Sequence, residues 1–207
     1  MSRFRDLIRF YDLLETLGDC TNCPFGDAAL PTKNRGVYFF FEPGEFRSDS
    51  GKGLRVVRVG THALKVGSSS TLGGRLKQHR GTSSGGGNHR GSIFRLLVGG
   101  ALLRRGDCAS CVSWGVKGDV SRAIAHMNSD RATLVAAEAP IERTVSDILG
   151  AMFCQWVSID DAPTHSSLRG FIERNSIALL SNHQRSPLDQ ASKDWLGSVL
   201  NKDSRPY

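Results

Sequence analysis

Tyr38, Arg75 and His79 have the types and spacing of side chains that could act on an anion. Tyr38 lies in a run of apolar residues, and Arg75 and His79 are four residues apart, a spacing that places both on one face of a helix. A guanidinium binds anions through its forked donors, and an imidazole exchanges a proton near neutral pH. Each residue taken alone also has an ordinary interpretation, because Tyr38 would suit a core and the other two a solvated helix face.

The charge balance favours a polyanionic partner. The 207 residues include 27 Lys and Arg against 20 Asp and Glu, a formal net charge of +7. Such an excess attracts nucleic acid through contacts to phosphates that do not depend on sequence. A solvated basic surface has the same composition, so charge alone leaves both interpretations open.

The cysteines indicate a reducing compartment. The chain has five of them, and it shows neither a signal-peptide core nor an apolar run of membrane-spanning length, so we expect a cytoplasmic protein without membrane contact. Two CxxC pairs, Cys20 with Cys23 and Cys108 with Cys111, could supply four thiolates to zinc. Unlinked thiols are the alternative, since the pairs lie far apart in the sequence.

The elements that must position these residues follow from local patterns. Residues 36–41 are a β-branched and aromatic run that predicts a strand buried on both faces, and residues 54–60 alternate as its antiparallel partner. A further strand is predicted at 153–159, and helices at 4–14, 72–79, 93–102, 140–149 and 166–180. Residues 106–136 show no clean period, and the tail after 183 is polar around Trp195 and Leu196.

A glycine-rich loop, Gly85-Gly86-Gly87-Asn88-His89-Arg90, separates two of the predicted helices. It has two interpretations of equal standing. It could be a flexible connector, as such sequences usually are. Its three polar side chains could instead contact nucleic acid just before a helix N-terminus, which attracts anions.

The order of these features resembles the GIY-YIG nuclease superfamily. That family has paired motifs on two adjacent antiparallel strands, here Gly36-Val37-Tyr38 and Arg58-Val59-Gly60, followed by a helix with an arginine and, in several branches, a histidine four residues on. A later helix carries a glutamate and often ends in an asparagine, which Glu173 and Asn182 match. The resemblance covers roughly residues 34–183 and rests on order and spacing, since no single motif is specific.

The resemblance implies an α+β fold, in which a small antiparallel sheet of about three strands is flanked by helices. It also implies hydrolysis of DNA phosphodiester bonds. Tyr38 would be the general base or its close partner, with a pKa lowered below about 10 by neighbouring positive charge. Arg75 would hold the scissile phosphate, and Glu173 a single Mg²⁺ or Mn²⁺ ion. Glu142 is the reserve metal ligand.

The second motif departs from the family pattern, because Arg58 stands where most relatives have tyrosine. Arginine stays protonated and cannot act as a base. We therefore expect His62 or His79 to take over that share of the proton transfer. Arg58 could contact phosphate or lower the pKa of Tyr38.

Two other functions are also compatible with the sequence. The chain could be a nucleic-acid-binding module of the same fold without catalysis, or an interaction protein stabilised by zinc. The expected organisation is an N-terminal helix and loop over 1–33, a nuclease domain over 34–183 and a tail over 184–207. DNA is the expected partner, with RNA and a homo-oligomer left open. A nuclease of this kind could serve in restriction or phage defence, in repair or in mobile-element processing.

Overall fold

A computed structural model of the protein describes residues 2–18, 22–32, 34–116 and 119–200. These residues divide into two compact units. The first contains the described parts of 1–76 and 150–192, and the second contains those of 77–149 and 193–207. The helices are α1 Arg3–Glu15, α2 Leu72–Arg80, α3 Ile93–Arg105, α4 Val120–Met127, α5 Arg131–Ala151 and α6 Leu168–Leu180.

The first unit contains a three-stranded antiparallel sheet. Its strands are β1 Gly36–Phe46, β2 Leu54–Thr61 and β3 Phe153–Ser158, in the order β2-β1-β3. The central β1 is buried from its start, as a continuous apolar run requires. It continues through Pro43 and Gly44, beyond residue 41 where the predicted strand ends, and its pairing with β2 becomes irregular after Phe40. The predicted α+β class and the three-stranded antiparallel sheet are confirmed.

One face of this sheet carries the hydrophobic core of the first unit. Alternate β1 residues, Val37 and Phe39 among them, pack with Leu7, Tyr11 and Leu14 of α1. Partly buried residues of α6 join the same cluster. Because side chains alternate along a strand, Tyr38 and Phe40 must lie on the other face.

That second face carries the candidate chemistry. Tyr38 pairs with Gly60 and Phe40 with Arg58, and directly paired residues project from the same side of a sheet. The Tyr38 and Phe40 rings meet edge to face at 5.8 Å, and Phe25 contacts Phe40 in the same way at 4.8 Å. This aromatic packing fixes the direction in which the Tyr38 ring points.

The second unit is held together by a buried ion network. Arg95 of α3 is fully buried and donates to Glu142 Oε2 at 2.6 and 2.8 Å. The other carboxylate oxygen, Oε1, accepts from the backbone and Nδ1 of His89. Arg95 Nη1 also donates to the carbonyl of His79 at 3.0 Å. The network links α3, α5 and the end of α2.

The predicted helix at 140–149 begins too late. α5 starts at Arg131, with Pro140 inside it, and the Asp130 carboxylate accepts the N–H groups of Ala132 and Thr133. Proline is common at a first helical position, which favoured Pro140 as the start. Among the helices of the described residues, none is both long and apolar enough to cross a membrane.

Candidate active site

The phenol of Tyr38 lies directly against Gly60 on the neighbouring strand. Tyr38 is 1% exposed, and a Cβ added to Gly60 would come within 2.5 Å of Tyr38 Cζ and 2.7 Å of Cε2. No side chain can occupy that position without displacing the ring. The glycine of the second motif therefore makes room for the tyrosine of the first.

Two guanidinium groups hydrogen bond to this phenol. Arg75 of α2 and Arg58 of β2 both form side-chain hydrogen bonds with Tyr38, and a guanidinium can only donate. The two cations therefore meet at one oxygen atom. Such a cluster attracts an anion, and a phosphate oxygen can take up the same donors.

The expected lowering of the Tyr38 pKa is wrong. Burial raises the pKa of Tyr38 above its ordinary value of 10.0, and this outweighs the opposing effects of Arg58 and Arg75. A site of low polarity favours the neutral phenol, whereas nearby positive charge favours the phenolate, and here the first effect is the larger. At neutral pH the resting phenol is protonated and can donate a hydrogen bond.

Glu173 of α6 reaches the end of β2 beside this cluster. Its Oε1 accepts a hydrogen bond from the backbone N–H of Thr61 at 3.0 Å. Its negative charge is near enough to Tyr38 and Arg58 to push the pKa of both groups upward. Thr61 in turn donates its hydroxyl to the carbonyl of Gly36. The carboxylate is thus fixed at the edge where β1 begins and β2 ends.

The donor set around Glu173 fits a hard divalent cation bound mainly by water and substrate. Within the described ranges, no group of three or more His, Cys, Asp or Glu side chains comes together to hold a metal ion. Mg²⁺ is commonly held by one or two carboxylates together with water and substrate phosphates. A single half-buried carboxylate beside an anion-binding pair of arginines meets that requirement.

His62 is buried next to the same cluster in a strongly cationic environment. It is 7% exposed. Burial, followed by the charge of Arg169 and smaller effects of Arg75 and Arg35, lowers the pKa of His62 to about 4. Its ring is therefore neutral near pH 7 and able to accept a proton.

Arg169 is a residue of this region that the sequence did not reveal. It is fully buried, donates to the backbone carbonyl of His62, and forms an ion pair with Asp161. It thereby ties the start of α6 to the segment after β2. Asp161 lies in the loop before α6 and Arg169 in its first turn, so no regular period relates them and only the tertiary structure reveals the pair.

His79 belongs to the second unit and is fully buried there. Its Nδ1 lies 2.7 Å from Ser92 Oγ, and its ring meets Phe94 edge to face at 5.8 Å. Ser92 Oγ also accepts the N–H of Arg95 and so caps α3. These contacts anchor the end of α2 that follows Arg75.

The polar residues of the glycine-rich loop make internal contacts. Asn88 caps a short 3-10 helix that begins at His89, and His89 is 1% exposed and bonded to Glu142. Arg90 forms a two-pronged ion pair with Glu138, at 2.6 and 2.7 Å. Gly87 lies against the Arg95 guanidinium, where a Cβ would overlap it. This loop therefore has a packing role in the second unit.

The reserve metal ligand, Glu142, is already occupied. Both of its carboxylate oxygens accept hydrogen bonds, from His89 and from Arg95. Burial raises the pKa of Glu142, but the hydrogen bond from His89 and the charge of Arg95 outweigh it, so the net shift is downward. A metal ion would have to displace these donors, which makes Glu173 the more accessible carboxylate.

Asn182 ties together the ends of the first unit. Its Oδ1 accepts from Arg3 at 2.7 Å and from the backbone of Leu188 at 2.9 Å, while its Nδ2 donates to the Leu188 carbonyl. The predicted asparagine at the end of α6 therefore joins that helix to α1 and to the segment after it.

The cysteines form no disulfide among the described residues. Cys23 is exposed, while Cys108 and Cys111 are half-buried free thiols. Cys20 lies outside the described residues. The predicted zinc alternative thus has no support from the geometry of the described thiols.

The chain was compared with protein families, curated proteins and solved structures. A model of the GIY-YIG domain matches residues 1–204. No curated protein and no solved structure matches the chain. The match covers nearly the whole sequence, so the protein belongs to the GIY-YIG domain family, and the predicted resemblance is confirmed. Membership of this family implies a nuclease-type function and a nucleic-acid substrate.

Proposed function

We propose that the protein is an endonuclease that hydrolyses DNA phosphodiester bonds with one divalent metal ion. The observation that carries this proposal is the convergence of Arg58 and Arg75 on the Tyr38 phenol, with Glu173 beside them. Two cations, a proton-bearing group and a carboxylate are the groups that phosphodiester hydrolysis needs around one phosphate.

The two arginines bind and orient the phosphate in this proposal. Arg75 contacts the scissile phosphate through its forked donors, and Arg58 stabilises the negative charge that grows on the phosphate oxygens. The protonated phenol of Tyr38 donates to a phosphate oxygen or to the attacking water. The proposed role of Arg58 thus differs from that of the tyrosine that most relatives have at this position.

His62 is the proposed acceptor of the proton that the attacking water loses. Its lowered pKa keeps the ring neutral at the pH of the cell, as a base requires. His79 acts on the site indirectly, since it anchors the end of α2 through Ser92. We therefore propose it as a positioning residue.

Glu173 is the proposed ligand of Mg²⁺ or Mn²⁺. The bound cation would act as a Lewis acid that stabilises the leaving 3′ oxygen. Oε1 of Glu173 is held by the Thr61 N–H, which fixes the direction of the carboxylate before any cation arrives.

A cleavage assay tests these roles. Supercoiled plasmid and end-labelled duplex are incubated with the protein and Mg²⁺ or Mn²⁺. We expect cleavage by the wild type and a loss of at least about a hundredfold for Arg75→Ala, since removing one donor to a transition state costs that much. We expect a comparable loss for Glu173→Gln, because this variant lacks the negative charge that would hold the metal ion. Unchanged cleavage by either variant would refute its assignment.

Two variants on the same helices serve as controls. Lys77→Ala changes an exposed cation on α2, and Arg174→Ala changes an exposed cation beside Glu173 on α6. Both should cleave as the wild type does. If they lose activity to the same extent, the effect reflects overall charge and the site has no special part in it.

A second function is favoured by one observation, the arginine at position 58. A chain that lacks the second tyrosine could bind nucleic acid without cutting it. Binding that weakens steeply with salt, together with no cleavage in any divalent metal, would support this alternative.

A further inference from the structure

A polar pocket of about 320 Å³ lies at the edge of the sheet next to the candidate active site. Three segments line it, namely residues 34–35 before β1, 69–71 before α2 and 158–160 at the end of β3 and just beyond it. Their backbones are joined by hydrogen bonds, from Leu72 N–H to the Asn34 carbonyl at 2.7 Å and from Ile159 N–H to the Arg35 carbonyl at 2.8 Å. The walls of the pocket are therefore built into the first unit.

Two side chains of opposite charge, Arg35 and Asp160, line the pocket, and neither uses all of its hydrogen-bonding groups within the described residues. Arg35 donates from Nη1 to the carbonyl of Asp161 at 3.1 Å, while its buried Nε has no acceptor among the described residues. Asp160 is exposed and forms no ion pair within the part of the chain that is described. The hydroxyls of Ser69, Ser70 and Ser158 complete a lining of donors and acceptors.

Charged side chains of the pocket and of the site around Tyr38 act on one common residue, His62. His62 is near both, since its ring is adjacent to the Ser70 backbone and the positive charges of Arg75 and Arg35 both lower its pKa. Gly36, which follows Arg35 directly, accepts the hydroxyl of Thr61, the residue that holds Glu173. A group bound in the pocket would be a close neighbour of a phosphate held by Arg75.

The size and chemistry of the pocket suit one nucleotide. Its volume is at the lower end of the roughly 300–1,000 Å³ that small-molecule pockets span. A carboxylate accepts hydrogen bonds from the exocyclic amines of cytosine, adenine or guanine. Thymine has no such amine, and its single donor, N3–H, lies between two carbonyl oxygens that repel a carboxylate. A guanidinium donates to phosphate or to a base acceptor.

We propose that this pocket binds the nucleotide next to the scissile phosphate and that Asp160 selects an amine-bearing base over thymine there. The inference rests on the proposed nuclease function and extends it to specificity. Arg35 lines the pocket and positions the bound nucleotide through its guanidinium. The base must leave its pair to enter the pocket, so cleavage favours single-stranded or frayed DNA.

Cleavage of a randomised oligonucleotide pool, with sequencing of the new ends, tests the proposal. The wild type should disfavour thymine at one position adjacent to the cut by roughly fivefold or more, the lower limit for a good base contact. Asp160→Asn should lose this bias, because an amide both donates and accepts. Asp147→Asn, an exposed aspartate of the second unit, should keep it. Cleavage without bias at any flanking position would overturn the proposal and leave the nuclease function intact.

A binding measurement separates this proposal from the activity itself. Fluorescence anisotropy in EDTA would compare single-stranded oligonucleotides of cytosine and of thymine, with wild type and Asp160→Asn. We expect the wild type to prefer cytosine by roughly fivefold and the variant to lose this preference. Equal affinities for the wild type would overturn the pocket assignment, whether or not the protein cuts DNA. An absence of cleavage with base-selective binding would refute the nuclease function alone.

Discussion

Gly60→Ala tests the geometry of the candidate site without removing any proposed catalytic group. The new Cβ would lie 2.5 Å from Tyr38 Cζ, whereas ordinary contacts begin at 3.4 Å. The ring must therefore retreat by about 1 Å, the difference between the two distances. A misplacement of this size can lower a rate about a hundredfold.

The expected effect on stability is smaller than the effect on activity. Overpacking a core costs about 1–3 kcal/mol, while alanine gains about 0.5–1 kcal/mol over glycine within a strand. A net loss of about 1–2 kcal/mol should leave the protein folded. Urea denaturation measures the free energy of unfolding, and single-turnover plasmid cleavage measures the rate.

Gly100→Ala is the matched control, because a Cβ there meets nothing within 4 Å. Gly100 lies inside α3, so this variant should be as stable as the wild type or more stable, and it should cleave normally. If Gly60→Ala cleaves within about threefold of wild type, the phenol has no need of its observed position. The proposed role of Tyr38 would then be wrong.

Further changes test the buried charges of each unit. Glu142→Ala leaves the fully buried Arg95 without its carboxylate, and urea denaturation should show a loss of about 3–5 kcal/mol. Glu15→Ala, which removes a carboxylate that is 66% exposed, should cost less than about 1 kcal/mol. Asp189→Asn weakens an acceptor for the backbone N–H groups of residues 48–50 and should cost about 1–3 kcal/mol at pH 7. Burial raises the pKa of Asp189, but hydrogen bonds from the Ser50 hydroxyl and from these N–H groups outweigh it, so the net shift from 3.8 is downward. This contribution should therefore fade as the pH falls through the lowered value.

The sequence predicted the elements whose signals are local. The apolar run at 36–41 determines a strand by itself, and Ser92, directly before α3, caps that helix with its own side chain. The 106–136 stretch gave no signal, yet it contains α4 and the first turns of α5. An interior proline is tolerated in α5 because the packing of its buried face outweighs the lost hydrogen bond.

The site was predictable in part, for a related reason. Motif order identified Tyr38, Arg75 and Glu173 as neighbours, since the family pattern records their tertiary proximity. The pattern carries no information on burial, so the raised pKa of Tyr38 was not foreseen. Nor does spacing along a helix show that His79 is enclosed by Ser92 and Phe94. Burial is a property of the surrounding elements, which one segment cannot reveal.

His62 offers a pH-dependent test of that buried environment. Burial and the neighbouring Arg169 lower the pKa of its ring from 6.5 to about 4. In the unfolded chain the ring gains a proton near pH 6.5, whereas in the folded protein it stays neutral until about pH 4. The His62 ring therefore costs the folded protein no stability above pH 6.5, and the free energy of unfolding falls as the pH drops from 6.5 to about 4.

The size of the effect follows from the shift. A difference of 2.5 between 6.5 and 4, at 1.36 kcal/mol per unit, gives an upper limit of about 3 kcal/mol. His62→Gln cannot titrate, so the stability difference between wild type and variant should shrink by up to that amount from pH 7 to pH 4. Carboxylates contribute equally to both proteins and cancel in this difference. Stability curves that stay parallel over this range would mean that the His62 ring is solvated and titrates normally, and its proposed role as a neutral proton acceptor beside Arg75 would then lose its physical basis.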